Sequence, residues 1–381
     1  MLIGVSKNIF RHAHNGNFYR GRSEMKNFLI VFCISTIFLG GCVQDKPLDN
    51  LTKFSTDNKG DYLLFHFINP LGKEGYISEV DDDGKVIKNF MIRDKHFAPS
   101  DVFYYSDNFF FTSGAYSDDT KVMKYNPKKK ELSLFDTNQN KFIEKYHKDD
   151  KSEYIITVLD KNNNNEVCDI KLNKCIESLE NYRAHTVTTL DNYIIVVGIN
   201  KTLSSTKNSI QLKKFNRNLE ALKEVTLDQI PNYFTYTSED QKLYIFMKNG
   251  DIVEIDSDLN VHSYPVNLSG FSENIENVKY KKNVMLDKKR ILVDMEIKAD
   301  YKKTDILAEI SFEKDVPTMN VIQKGINEDI LNVDYETEEV FTRSYVDKKT
   351  VISIRDTKKL DLKNRLVLGN KDPIYFVDNI K

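Results

Sequence analysis

The feature that most limits the fold is a strand–turn–strand unit that recurs at nearly constant spacing. It reads YISEVDDDGKVIKNF from Tyr76, KVMKYNPKKKELSLF from Lys121, EVCDIKLNKCIESL from Glu166 and IQLKKFNRNLEALKEV from Ile210. It continues as DIVEIDSDLNVHSYPV from Asp251, ILAEISFEKDVPTMNVI from Ile306 and TVISIRDTKKLDLKNRL from Thr350. Taking the last apolar residue before each turn gives Val80, Tyr125, Leu172, Phe215, Ile255, Phe312 and Ile354, with steps of 45, 47, 43, 40, 57 and 42 residues. The long step is read as an inserted polar loop at 300–305. Helical periodicity is almost absent, and short alternating runs are separated by Asn, Asp, Gly and Lys clusters, the pattern of strands and hairpins. In the fifth unit four strands are expected, at Tyr233–Thr237, Leu243–Met247, Asp251–Ile255 and Val261–Val266. A four-stranded blade cannot bury both of its faces alone, so such blades must stack in a ring. The sequence therefore predicts an all-β, seven-bladed β-propeller over 51–381, with another multi-sheet β architecture as the alternative.

A ring also has to close. The first unit offers only Leu51–Thr56 as an inner strand. The segment Ile374–Asn379 echoes Phe103–Asn108, the expected inner strand of the second blade. The C-terminal segment is thus expected to complete the first blade and remove its open edge.

Ahead of the repeat lies an address. Met25-Lys26-Asn27 is a short basic start, Phe28–Leu39 is an apolar run too short to span a bilayer, and Leu39-Gly40-Gly41-Cys42 follows. This resembles a secretory signal ending in the lipobox of bacterial lipoproteins. The resemblance implies cleavage before Cys42, a lipid on its sulfur (diacylglyceryl, with palmitate-type chains), and a place on the extracytoplasmic face of the cell membrane. Residues 25–41 are then the signal and 42–50 a short tether. Residues 1–24 lack an apolar run and are read as an over-long start. Heavy use of Lys, Asn, Asp and Ile, with no Trp, suits an AT-rich, Gram-positive source.

Without residues 1–41 the chain has 50 basic and 56 acidic residues, a net charge near −6, which argues against nucleic acid as a partner. Of four cysteines, Cys33 leaves with the signal and Cys42 is the lipid site. Cys168 and Cys175 flank one hairpin. A turn centred between Lys171 and Leu172 would oppose them. A two-residue Asn173-Lys174 turn would put Leu172 opposite Cys175, and this unbridged register is the expected one.

Asp160, Asn162 and Asn164 place oxygen donors at the first, third and fifth positions of a calcium-type loop, but Asn165 and Lys171 stand where Gly and Glu are wanted. A polar turn is the simpler reading, so no metal and no cofactor are expected. His66, His96, His147, His185 and His262 show no metal-ligand spacing. Tyr104, Tyr182, Tyr233 and Tyr301 are candidates for a recognition surface. Lys128–Lys130 and Lys281-Lys282 are read as solvated turns.

The units are similar to YVTN-type and quinoprotein-like bacterial propellers, best in Leu243-Tyr244-Ile245-Phe246, Gly250 and Val253–Asp256. The tryptophan docking motif of quinoprotein blades is missing, so no quinone is carried over. The expected function is a membrane-anchored binding or envelope-assembly module for a protein, peptide or cell-wall component. The alternative is a propeller enzyme of lactonase or lyase type with an axial site.

Overall fold

The computed structural model describes the strands Lys46–Leu48 and Leu51–Lys53 and most of the chain from residue 59 onward. Outside the described residues lie 1–45, 49–50, 54–58, 67–74, 93–100, 113–120, 138–141, 159–164, 177–181, 201–208, 229–230, 238–240, 267, 269–270, 272–273, 314–316 and 370–372. Cys42, His96 and the candidate loop Asp160, Asn162 and Asn164 fall among these. The propeller residues form seven sheets, each a blade, and in blades 3 to 7 four antiparallel strands run outward in chain order.

Six hairpins between the third and fourth strands from the axis share one device. Each begins with Asp81, Asn126, Asp169, Asn216, Asp256 or Asp356. The side-chain oxygen accepts backbone N–H groups further along the turn, as from Asp83 and Lys85, from Lys129, from Leu172, or from Asp258 and Asn260, at 2.8–3.1 Å. Asn216 and Asp356 do the same. A residue of positive φ then turns the chain back: Gly84, Lys130, Asn173, Leu219, Leu259 or Leu360. A left-handed leucine is strained. Leu219, Leu259 and Leu360 are each at least nine-tenths buried, and burying a leucine offsets that cost by about 2 kcal/mol.

This device corrects the expected phase of the third blade. Its turn starts at Asp169, and Leu172 sits within the turn, about half exposed. The turn spans four residues rather than two, so Cys168 stands directly opposite Cys175 and the two form a disulfide, against expectation. The expected polar insertion at 300–305 is likewise absent. Only 300–301 turn, between two ten-residue strands, Arg290–Ala299 and Lys302–Ser311, and longer strands account for the long repeat step. Lys281 and Lys282 lie inside the thirteen-residue innermost strand Ile275–Asp287, not in a turn.

The ring closes as the echo predicts. Phe376–Asn379 pairs with Tyr62–His66 and becomes the innermost strand of blade 1. Phe376 is fully buried, its ring 4.5–5.3 Å from those of Phe65, Phe109 and Phe111. Leu51–Lys53 is no inner strand. It pairs with Glu131–Asp136 on the outer edge of blade 2, and Lys46–Leu48, read as tether, adds a parallel strand to the outer edge of blade 1.

Candidate functional site

The innermost strands surround an axial cavity of about 390 Å³. Blade 2 contributes Val102–Tyr104, blade 3 Lys145–His147, blade 4 His185–Thr188, blade 6 Lys282–Met285, and blade 7 Leu331–Val333 with Tyr335. Four of these strands are bulged where they reach the cavity, between Ile143 and Lys145, Ala184 and Thr186, Tyr280 and Lys282, and Ile330 and Asn332. A bulge inserts a residue and re-aims its neighbours, so both Lys145 and Lys282 follow a break in the alternation of the strand.

Amide side chains lace adjacent blades beside this cavity. Asn332 on blade 7 receives a bond from the Val377 backbone N–H at 2.9 Å and donates to the Val377 carbonyl at 2.7 Å, in the manner of a peptide group. Asn165 of blade 3 makes the same pair with Ala184 of blade 4. Such reciprocal bonding satisfies inner-strand backbone groups that have no ladder partner across the gap between blades.

Charges at the axis are unevenly distributed. The described carboxylates of the innermost strands are each engaged elsewhere. Glu144 meets Arg183 at 3.6 Å, Glu276 meets Lys298, and Asp287 meets Arg290 at 2.7 Å. Glu328 faces Arg355 at 3.4 Å and Asp329 faces Arg343 at 2.6 Å. Asp334 accepts the turn amides of Glu336 and Thr337, and Asp378 accepts the Tyr125 hydroxyl. Lys145 and Lys282 are among the residues that line the cavity. The Lys282 ammonium donates to the Leu331 carbonyl. Burial lowers the His147 pKa to about 4, with Asp149 opposing and Arg217 reinforcing, so its ring is neutral at pH 7. Its Nε2 lies 3.2 Å from Thr189 Oγ1.

At one mouth of the cavity Tyr104 and Tyr335 meet, their ring centres 5.0 Å apart, each more than a third exposed. The Tyr335 hydroxyl donates to the Met285 carbonyl at 3.1 Å. Beside the pair, a hollow of about 160 Å³ is lined by Phe109, Asp107, Lys128, Asp334 and Glu336.

Of the residues singled out in the sequence, His147, His185 and Tyr104 reach the axis or its mouth. His66 is buried, stacked on Tyr76 at 4.2 Å and 3.1 Å from the Ser78 hydroxyl, a packing role. His262 lies on the exposed outermost strand of blade 5. Tyr182 is not on a surface: it is buried, its hydroxyl bridges the carbonyls of Val196 and Gln211, and Gly198 leaves the space its ring occupies. Tyr301 stands 91 % exposed on a turn of blade 6. Lys145, Asn332 and Tyr335 were not distinguishable in the sequence, and Lys282 was read there as part of a solvated turn. Among the described residues, one group has the composition of a metal site, Glu166, Cys168 and Cys175, and its sulfurs are joined in the disulfide.

No protein-family model and no curated protein matches the chain. Solved structures do. One is from Bacteroides fragilis, provisionally named a 6-phosphogluconolactonase, with 11% identity and a TM-score of 0.50 over 86% of this chain and 99% of that one. A second of that provisional name, from Bacteroides uniformis, has 10% identity and a TM-score of 0.51 over 83% and 98%. A third is the cobalt-substituted ACO of Synechocystis, with 9% identity and a TM-score of 0.50 over 83% and 91%. At such identities the likeness speaks for the fold, and the chain is a seven-bladed β-propeller.

Proposed function

We propose that this chain is a lipoprotein held by Cys42 on the extracytoplasmic face of the cell membrane, and that its propeller is a binding or envelope-assembly module for a protein, peptide or cell-wall component. The observation that carries the binding role is the exposed Tyr104–Tyr335 pair at the cavity mouth. Exposed tyrosines offer large contact area at low entropic cost and are enriched where proteins meet partners. The lipobox-like Leu39-Gly40-Gly41-Cys42 supports the anchor. Pull-down from detergent-solubilised membranes tests the role. The full chain should retain a partner that the Tyr104→Ser, Tyr335→Ser double variant loses, and identical capture by both would remove the rim from consideration. Fatty-acid labelling abolished by Cys42→Ala tests the anchor.

A propeller enzyme of lactonase or lyase type is the second reading, favoured by His147 and His185 both reaching the axis. It requires that His185→Gln abolish turnover of a lactone or polysaccharide substrate.

A further inference from the structure

We propose that the hollow beside the Tyr104–Tyr335 pair receives a basic side chain, the guanidinium or ammonium group of an arginine or lysine on a protein or peptide partner. The inference rests on the binding-module reading and deepens it by naming the chemistry that the rim recognises.

The first observation is an unbalanced buried charge. Asp334 is nine-tenths buried at the end of the innermost strand of blade 7. Its Oδ1 accepts the backbone N–H groups of Glu336 and Thr337 at 2.9 and 3.2 Å. Its Oδ2 accepts no hydrogen bond and meets no cation among the described residues. That oxygen is not sealed from solvent, so it opens on the hollow that Asp334 lines. Glu336, exposed on the same wall, has no ion-pair partner among the described residues either. The lysine of this wall, Lys128, is taken by Asp107 at 3.2 Å. The uncompensated charge is felt nearby. Burial raises the pKa of Tyr104, Tyr125 and Asp378, and Asp334 raises all three further. A buried carboxylate without a counter-charge is unfavourable, and a cation entering the hollow relieves it.

The second observation is the aromatic wall. The rings of Tyr104 and Tyr335 are more than a third exposed, and Phe109 stands beside them. Their hydroxyls are tied down, Tyr335 to the Met285 carbonyl at 3.1 Å and Tyr104 to Asp107 Oδ1 at 3.4 Å. Held rings beside a carboxylate attract an organic cation, and a weakly hydrated guanidinium above all.

The third is size. The hollow, about 160 Å³, is smaller than the ~300–1,000 Å³ of a site for a drug-sized ligand, so it suits one side-chain head. A hard metal ion such as calcium asks instead for about six to eight oxygen ligands, which aromatic faces do not supply.

The test is fluorine NMR of the full chain carrying fluorotyrosine, in detergent micelles. It is titrated with N-acetyl-arginine amide and, separately, with the uncharged N-acetyl-citrulline amide, at constant ionic strength. Saturable shifts of the Tyr104 and Tyr335 resonances, assigned with Tyr104→Phe and Tyr335→Phe, are expected with the arginine probe and not with citrulline. Asp334→Asn keeps an Oδ1 for the turn amides and should weaken binding tenfold or more. Glu338→Gln, whose carboxylate pairs with Lys358 outside the hollow, should leave it unaltered. Absence of saturable shifts overturns the proposal, as does an equal response to citrulline or equal affinity in Asp334→Asn. Displacement of the arginine probe by calcium chloride at matched ionic strength would overturn it in favour of a metal ion. Should Asp334→Asn fail to fold, Glu336→Gln removes charge from the same wall without touching the turn. The titration needs no partner, so its outcome is separate from that of the pull-down. A rim partner captured equally by the parent and by Asp334→Asn would overturn the inference and leave the binding-module reading in place.

Discussion

Two seams of the ring are built differently. Between blades 4 and 5 the buried cluster is aliphatic, with Leu190, Ile195, Val197 and Leu212 facing Leu243, Ile245 and Ile255. Between blades 1 and 2 it is largely aromatic, with Phe65, Phe90, Phe109, Phe111 and Tyr125 gathered around Phe376. The second seam also contains a buried polar contact, the Tyr125 hydroxyl on Asp378. The blades at the aliphatic seam are built from consecutive strands, so many small contacts suffice. At the closing seam a four-residue strand from the far end of the chain must be held by side chains. Wide rings and a directional hydrogen bond hold that strand in one register, where interchangeable aliphatic contacts would allow slippage.

Removing the closing strand should break this comparison most severely. Deletion of 372–381 exposes strand edges in blade 1 and strips the aromatic seam of its centre. Aggregation or a fall of more than about 10 °C in the unfolding midpoint is expected. A truncated protein that melts like the parent would make the strand dispensable.

Point changes refine the contrast. Phe376→Ala should cost about 3–5 kcal/mol and Ile245→Ala about 2–4 kcal/mol in denaturant unfolding. Equal costs would mean that the seams differ in composition only.

Asp378 gives the closing seam a pH dependence that the aliphatic one lacks. Burial raises its carboxyl to about 7, with the Tyr125 hydrogen bond and Lys130 opposing and Asp334 and Glu336 reinforcing. A carboxyl that binds its proton more tightly when folded stabilises most at low pH. That contribution is lost as pH rises from about 4 to about 7. Asp378→Asn should therefore flatten stability over that window and gain on the order of 3 kcal/mol at pH 8. Asp294, raised to about 7 by burial with Lys281 opposing, leaves a residual slope of the same sign. An unchanged pH profile in Asp378→Asn would assign the dependence elsewhere.

The smallest effect belongs to a site away from both seams. Alkylation of the unreduced protein should add no mass at Cys168 or Cys175. Replacing both with Ser should cost no more than about 2 kcal/mol, because the closed loop is short.

The blade count, the strands of the fifth unit and the closing strand were legible because they are local patterns or echoes of one. The third-blade register was misphased because apolar residues were counted. Leu172 is apolar but in a turn, while the residue that fixes the turn is the polar Asp169. Counting Asp or Asn followed by a left-handed position would have opposed Cys168 and Cys175. The axis was illegible for a different reason. Lys145, His185, Lys282 and Tyr335 come from four blades and share no spacing, and bulges interrupt the alternation that would tell inward from outward. Tyr104 was singled out only as one tyrosine among several.

The two short strands that precede the first blade have a mechanical consequence. Lys46–Leu48 lies along the outer edge of blade 1 and Leu51–Lys53 along the outer edge of blade 2. Tension applied to the chain ahead of residue 46 therefore loads these two outer strands first. They pair with neighbours of opposite sense, one parallel and one antiparallel, so a single pull cannot unzip both in the same way. The inner closure, made by residues more than three hundred positions away, carries none of that load until both have detached.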